Sequence, residues 1–346
     1  MKKGVSFLLQ RQSRDGGWRS EHCASFANGT ALTPLVLLAL QQALGRGEAS
    51  PELHDAIRRG LQFLAGFRTA EGGIAEPEDG FDYPVYTASL TLRVLCHESA
   101  QPWASWRAAW ANYLLERQLT EKLGWNLSDK PYGGWGYCRV VPRKPAPGQF
   151  APPLVESNLS ATVFALDALA AADALEEAVK RKAAVFIRRC QNEDGGFHFI
   201  YDDPVRNKAG VANWEPLRFH SYGSATADGL RALMLCQLAE DKARIRSAAD
   251  WLARHFAVHT HPGRYLATQE PQRNAVYYYY LASLAPCAVC PELSREWDSW
   301  RIEIAQALAG AQQSDGHWSN PLSLVREDDP VIATAFAVLV LTHCLR

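Results

Sequence analysis

The sequence has almost no net charge, with 36 lysines and arginines against 37 aspartates and glutamates in 346 residues. A chain that binds nucleic acid usually carries a basic excess or a basic stripe, so this balance does not favour that class of partner. The chain also has no apolar run long enough to cross a bilayer, and its first residues do not resemble a signal peptide. We therefore expect a cytoplasmic protein that makes, at most, peripheral contact with a membrane.

Cysteine occurs in no pattern that predicts a disulfide framework or a metal centre. The eight cysteines are scattered, and we expect free thiols in a reducing compartment. Cys287 and Cys290 form C-x-x-C, and His259 and His261 form H-x-H, which are ligand types for zinc. The two pairs flank a predicted helix of about eleven residues, which would separate them by roughly 16 Å. We therefore predict no metal site and no other cofactor.

What the sequence does contain is a repeated phrase. Copies of Q-x-x-D-G-G-W, or a close variant, occupy residues 12–18, 191–197 and 312–318, and a degenerate copy lies at 71–73. The copies are separated by one or two multiples of about sixty residues, and a fixed period indicates a repeat architecture. Each copy follows an apolar run at helical spacing, and its glycines are typical of a helix end.

A second kind of helix follows each of these turns. It is richer in apolar and small residues, as in the segment Thr162 to Leu166, and a helix that is apolar nearly all round is buried. Six amphipathic helices, centred near residues 8, 63, 113, 185, 250 and 306, would alternate with six buried ones. This alternation predicts an all-α protein, a closed (α/α)6 toroid built as a single domain from residues 1–346.

The repeated phrase, with Lys2 and the run 7–9 ahead of it, resembles the QW motif of squalene–hopene and oxidosqualene cyclases. The β subunits of protein prenyltransferases contain the same repeat, so the resemblance is to the prenyltransferase and squalene-cyclase superfamily. It covers essentially the whole chain and implies a terpene-cyclase-like protein with an apolar isoprenoid ligand. Squalene–hopene-type enzymes protonate an alkene or epoxide with the middle aspartate of D-x-D-D-T, at the start of an inner helix. The cation is then held among aromatic rings.

The acid motif of those cyclases is absent at the position that matches it. Aligned on Thr162, the motif becomes the segment 158–162, which reads N-L-S-A-T and has no carboxylate. Other carboxylates do precede predicted inner helices, and an acid before a helix can equally serve as its cap. These candidate acids are Asp82, Asp328, Asp329 and Glu156.

The predicted starts of the inner helices are also rich in aromatic and polar side chains. Core packing accounts for many such residues, but their excess there suits an apolar ligand surrounded by ring faces. We predict a ligand cavity lined by Tyr83, Tyr86, Trp135, Tyr137, Asn158, Trp214, Phe219, His220, Tyr222, Tyr277 and Tyr278.

Three classes of function remain open from the sequence. A protonation-initiated isoprenoid cyclase predicts a buried carboxylate beside an apolar, aromatic cavity. A non-catalytic isoprenoid- or lipid-binding toroid predicts a cavity without such a carboxylate, and a scaffold predicts a centre filled by side chains. A protein-prenyltransferase β-like subunit is less favoured, because no predicted inner helix starts with the D-x-C that supplies zinc ligands in that family. The sequence does not identify whether the protein has a protein partner.

Overall fold

A computed structural model describes residues 1–97 and 103–345, and twelve α-helices lie in this part of the chain. They alternate between an outer and an inner layer. The outer helices are α1 (Lys2–Gln10), α3 (Pro51–Ala65), α5 (Ala104–Leu115), α7 (Glu177–Arg189), α9 (Lys242–His255) and α11 (Ser294–Ala311). The inner helices are α2 (Leu32–Leu44), α4 (Pro84–His97), α6 (Leu159–Ala171), α8 (Gly223–Cys236), α10 (Tyr277–Leu284) and α12 (Pro330–Cys344).

The inner helices form a closed ring. Each packs against the next, from α2 through α4, α6, α8 and α10 to α12, and α12 packs back against α2. The outer helices pack against this ring, with α1 beside both α2 and α12. The prediction of an all-α toroid is therefore confirmed. Strands β1 (Val211–Trp214) and β2 (Leu217–Phe219) add a small antiparallel hairpin before α8.

The difference between the two layers follows from their side chains. Outer helix α3 buries one face, which includes Leu53, Ile57 and Leu64, and exposes the other. Inner helix α12 buries eleven of its fifteen residues, because it is enclosed by neighbours on nearly every side. Its apolar and small residues allow that close packing.

Copies of the repeated phrase join outer helices to their neighbours. The Gln12 side-chain amide donates to the Gly16 carbonyl and to the Ala56 carbonyl of α3, both at 2.8 Å. The Trp18 indole donates to the Leu8 carbonyl at 2.7 Å, and the Trp18 backbone N–H donates to a threonine hydroxyl of α2 at 2.9 Å. We call this arrangement the glutamine–aromatic staple. The staple of residues 312–318 repeats the indole, backbone and Gly316 contacts.

A further staple was not predicted, because an insertion interrupts it. The Gln118 amide donates to the Gly133 and Val179 carbonyls at 2.8 and 3.1 Å. The Trp135 indole donates to the Leu114 carbonyl at 2.7 Å, as Trp18 does to Leu8. In the first copy the glutamine and tryptophan are six residues apart, at 12 and 18, and here they are seventeen apart, at 118 and 135. The difference of eleven residues hid the repeat.

Candidate active site

A cavity of about 520 Å³ occupies the centre of the ring, and all six inner helices contribute to its walls. This volume lies within the range typical of small-molecule sites, roughly 300–1,000 Å³. Most of the lining comes from the middle and carboxyl-terminal parts of the helices, whereas Tyr279 lies near the start of α10. Its apolar part consists of Leu35, Leu38, Leu90, Phe164, Ala282, Pro286, Phe336 and Leu339.

Charged residues form another part of the wall, on neighbouring helices α4, α6 and α8. Arg93 Nε lies 3.3 Å from Asp167 Oδ2, and both side chains line the cavity together with Arg231. Charged side chains are rarely enclosed without partners. Here they alternate in sign along one side of the cavity and form a charged, polar face, while further polar side chains, among them Gln41, His97 and Ser283, line other parts of the wall.

Asp228 lies directly behind this polar face and is 1% exposed. Its Oδ2 accepts hydrogen bonds from the Tyr279 hydroxyl at 2.8 Å and from the Ser160 hydroxyl at 3.3 Å. Its Oδ1 lies 3.8 Å from Arg231 Nη1 and has no hydrogen-bond partner within the described ranges. Burial raises the pKa of Asp228, while Arg231 and the Tyr279 hydrogen bond act in the opposite direction. Tyr279 also lines the cavity, so one hydrogen bond separates the acid from it.

Two glycines allow α8 to approach its neighbours closely. A Cβ added at Gly229 would come within 2.5 Å of the Phe197 ring, and one added at Gly223 would come within 2.8 Å of Pro262 and Tyr280. Because neither position has room for a side chain, α8 packs tightly between its neighbours. In this packing Arg231 lies on the cavity wall and Asp228 lies behind it.

Aromatic side chains form the end of the cavity nearest the starts of the inner helices. The Phe164 ring lies 4.7 Å from that of Tyr86 and nearly perpendicular to it, and Tyr86 stacks on Tyr137 at 5.3 Å. The Tyr279 and Phe336 rings are 5.7 Å apart. Burial raises the pKa of Tyr86 to about 12, so its hydroxyl is protonated at neutral pH.

A model of the prenyltransferase alpha-alpha toroid domain matches residues 1–208. The chain belongs to this family. No curated protein matches the chain. The central cavity is the candidate ligand site, since ligand pockets often form between the helices of a bundle.

Solved structures share the fold at low sequence identity. A variant of the type II terpene cyclase MstE from Scytonema, in complex with its substrate geranylgeranyl dihydroxybenzoate, is 13% identical with a TM-score of 0.61, over 99% of this chain and 96% of that one. Cellobiose 2-epimerase from Spirochaeta thermophila is 12% identical with a TM-score of 0.60, over 99% and 93%. A protein from Actinoplanes is 15% identical with a TM-score of 0.58, over 99% and 98%. These likenesses establish the fold, which hosts unrelated activities.

The predicted acids lie in different surroundings. Asp82 is 3% exposed, and its Oδ2 has no hydrogen-bond partner in the part of the chain that the structure describes. Burial raises its pKa to about 6, against the opposing charge of Arg139. Asp82 precedes α4 and does not line the central cavity. Glu156 is partly exposed and pairs with Arg206 at 3.2 Å.

Asp329 serves as a helix cap. Its Oδ1 accepts the backbone N–H groups of Val331 and Ile332 at 2.8 and 3.2 Å, and its Oδ2 accepts the Ser20 hydroxyl. These contacts match those of an N-cap carboxylate, and they occupy both oxygens. Its neighbour Asp328 is partly buried and does not line the central cavity.

The predicted aromatic residues divide into two groups. The structure brings Tyr83, Tyr86 and Tyr137 together, with ring centroids 5.3 to 6.3 Å apart, beyond the Phe164 end of the cavity. The prediction that Trp214 lines a cavity is wrong, because it is 68% exposed on the hairpin. Trp135 also lies elsewhere, fully buried in its staple.

The remaining predicted lining residues contact other parts of the fold. Asn158 caps α6 by accepting the Ala161 N–H at 2.9 Å. Phe219 and His220 line a separate open groove beside the hairpin, and burial lowers the pKa of His220. Tyr222 is buried against the His261 ring, 5.6 Å away.

Two tyrosines of α10 point away from the cavity as well. The hydroxyls of Tyr277 and Tyr278 donate to the Val258 and Ser319 carbonyls, at 2.6 and 3.4 Å. Of the four consecutive tyrosines, Tyr279 is the one that lines the cavity. The sequence analysis named Tyr277 and Tyr278 as lining residues, whereas the structure places Tyr279 on the cavity wall.

The polar groups of the cavity were missed by the sequence analysis, although a signal for them exists. Arg93, Asp167, Asp228 and Arg231 are charged residues inside helices that are otherwise apolar. A charge in such a helix needs a partner, and the partner then defines a polar surface. Among the described residues, no group of three or more histidines, cysteines, aspartates or glutamates is placed to hold a metal ion. None of the described helices combines the length and apolar character needed to cross a membrane.

Proposed function

We propose that the protein is an isoprenoid cyclase that starts ring closure by protonating an alkene in the central cavity. The observation that carries this proposal is the buried carboxyl of Asp228, which is one hydrogen bond from a tyrosine of the cavity wall. Alkene protonation needs an acid that is kept protonated and held in place. Desolvation favours the neutral carboxyl, and the hydrogen bonds to Oδ2 fix its orientation.

The proposed step passes a proton through Tyr279. When Asp228 is protonated, its Oδ2–H donates along the 2.8 Å contact to the Tyr279 oxygen, and the Tyr279 O–H turns toward the cavity. The Tyr279 O–H proton then moves to an alkene carbon, the π electrons form the new C–H bond, and a carbocation develops at the neighbouring carbon. The Asp228 proton replaces the one that Tyr279 donates, so the carboxylate carries the negative charge while the cation exists. Return of a proton from the cyclised cation restores the acid, and the product is an isomer of the substrate.

The surroundings suit such a cation. Phe164, Phe336 and Tyr279 present ring faces or edges to the cavity, and ring faces attract cations. The polar side, with Arg93 and Arg231, favours a substrate that has a polar head group on an apolar chain. The geranylgeranyl dihydroxybenzoate bound by MstE is an amphiphile of this kind.

A second candidate is an isoprenoid-binding toroid without turnover. It is favoured by the absence of carboxylates at 158–162 and by the burial of Asp228 behind the wall rather than in it. Asp82, with its raised pKa and partnerless Oδ2, remains a proposed alternative acid if the ligand enters from the other end of the ring. The central cavity argues against a scaffold with a filled centre.

The test is a mass-spectrometric product screen with farnesyl, geranylgeranyl and prenylated aromatic substrates and squalene, with and without magnesium. Asp228→Asn and Tyr279→Phe should each reduce formation of an isomeric cyclic product by about a hundredfold or more, which is the usual contribution of a general acid. Tyr277→Phe is the matched control, because its hydroxyl is bonded outside the cavity. If only Asp82→Asn abolishes formation of the cyclic product, Asp82 rather than Asp228 is the acid. Retained lipid without any product would support the binding toroid instead.

A further inference from the structure

Helix α10, which carries Tyr279, starts without a cap of its own. The residue at its N-cap position is Val276, which has no oxygen in its side chain to accept a hydrogen bond. The orphan N–H groups of the first turn need an acceptor in a buried setting. Glu327, almost fifty residues further along the chain, supplies it. Its Oε2 accepts the Tyr278 N–H at 3.0 Å, and its Oε1 accepts the Tyr279 N–H at 2.7 Å.

The carboxylate of Glu327 is itself firmly held. It is 1% exposed, and its Oε2 also accepts the Asn320 side-chain amide at 3.0 Å. Asn320 is fixed in turn, since the same amide donates to the Asn274 carbonyl at 2.7 Å. The charged or titratable groups that face Glu327 are the ammonium of Lys208 and the phenols of Tyr277 and Tyr278. Burial raises the pKa of Glu327 to about 7 against the effect of its donors.

Helix α10 is short, and no longer helix continues it on either side. The helix has eight residues, and 3-10 segments at Glu270–Val276 and Ala285–Val289 flank it. A helix of this length spans about 12 Å, or two turns. A shift of the first turn would therefore move the whole helix. The neighbouring helix α8, which carries Asp228, is also capped remotely, because Ser224 N–H donates to His261 Nε2 at 2.9 Å.

One residue links the cap to the acid. The backbone N–H of Tyr279 is bonded to Glu327, and its hydroxyl is bonded to Asp228. We propose that Glu327 is a positioning residue, which fixes the first turn of α10 so that the Tyr279 hydroxyl stays on Asp228. The catalytic consequence rests on the proposed function, whereas the coupling between the three residues does not.

The test measures the pKa of Asp228 by carbon NMR of the full-length protein labelled at its aspartate carboxyls, with Asp228→Asn used for assignment. The Tyr279 hydrogen bond lowers this pKa, so Tyr279→Phe should raise it. Glu327→Gln should raise it as well, because the hydroxyl is no longer held in place. In a protein that already carries Tyr279→Phe, Glu327→Gln should cause no further change in the pKa of Asp228. An equal shift in both backgrounds, or none in either, would overturn the proposal.

Asp329→Asn is the matched control, since Asp329 also accepts two backbone N–H groups at the start of an inner helix. It should lower the unfolding temperature without moving the pKa of Asp228. If Glu327→Gln does not fold, Glu327→Asp keeps the charge but shortens the reach, and it should shift the pKa of Asp228 in the same direction. With an active substrate, Glu327→Gln should lower kcat about tenfold, and not at all in the Tyr279→Phe background. If Glu327→Gln shifts the pKa of Asp228 only when Tyr279 is present, but no substrate is converted, the positioning role stands and the cyclase proposal is refuted. If substrate is converted but Glu327→Gln leaves the pKa of Asp228 unchanged, the cyclase proposal stands and the positioning role is refuted.

Discussion

Replacing Trp18 by phenylalanine tests how much one glutamine–aromatic staple contributes to stability. Trp18 is fully buried, and its indole donates to the Leu8 carbonyl at 2.7 Å. That carbonyl also accepts the Arg11 N–H at 3.2 Å. The substitution therefore leaves no orphan acceptor, and it loses only the net value of one hydrogen bond, about 1 kcal/mol. The smaller ring adds roughly 2 kcal/mol for lost apolar burial and the cavity left behind.

The expected loss for Trp18→Phe is therefore about 3 kcal/mol of unfolding free energy. With an unfolding entropy near 2.1 cal/mol/K per residue over 346 residues, the midpoint should fall by about 4 °C. Far-UV circular dichroism in urea and during heating measures both quantities without relying on tryptophan fluorescence. Trp214→Phe is the control, since Trp214 is 68% exposed and should change stability by less than about 0.5 kcal/mol. Equal effects of the two substitutions would refute a stabilising role for the staple.

Two further predictions concern charge and backbone conformation. Because burial raises the pKa of Glu327 from 4.5 to about 7, its stabilising contribution is full below pH 4.5 and is lost as the pH rises through 7. The stability of the wild type relative to Glu327→Gln should thus fall by about 3 kcal/mol across this window in urea titrations, and a flat difference would contradict the shift. Gly133 and Gly47 both have positive φ, but an added Cβ would overlap the Lys182 carbonyl at Gly133, whereas at Gly47 it would meet none of the described residues within 4 Å. Gly133→Ala should destabilise the protein by at least about 2 kcal/mol more than Gly47→Ala in the same assay, and similar losses would show that only φ matters.

The fold could be predicted because its signals are local and repeated. Apolar periodicity identifies both layers of helices, and the glycines at 16–17, 195–196 and 316 mark where outer helices end. One staple escaped detection because eleven extra residues lie between its glutamine and its tryptophan. Fixed-period matching cannot see through such an insertion, whereas hydrogen bonds in three dimensions can.

The site could be predicted only in part, because the family motif drew attention to the starts of the inner helices. Tyr83, Tyr86 and Tyr137 do lie together there. The positions of Arg231 on the cavity wall and of Asp228 behind it are set by the rotation of α8 within the ring, which depends on how closely its neighbours pack. The sequence shows that charged residues lie inside an apolar helix, but it does not show which way their side chains point. The role of Glu327 depends on the path of a loop, for which a sequence provides no local signal.

The eleven extra residues between Gln118 and Trp135 have a consequence for how this protein can change. Both ends of that segment are anchored by the same staple as elsewhere, and the insert buries Trp125 and Tyr132 in a small cluster of its own. Doubling the length of a loop costs only about 0.6 kcal/mol in closure entropy. The turns are therefore places where the chain can acquire new surface, or accept a grafted segment, while the central cavity keeps its shape.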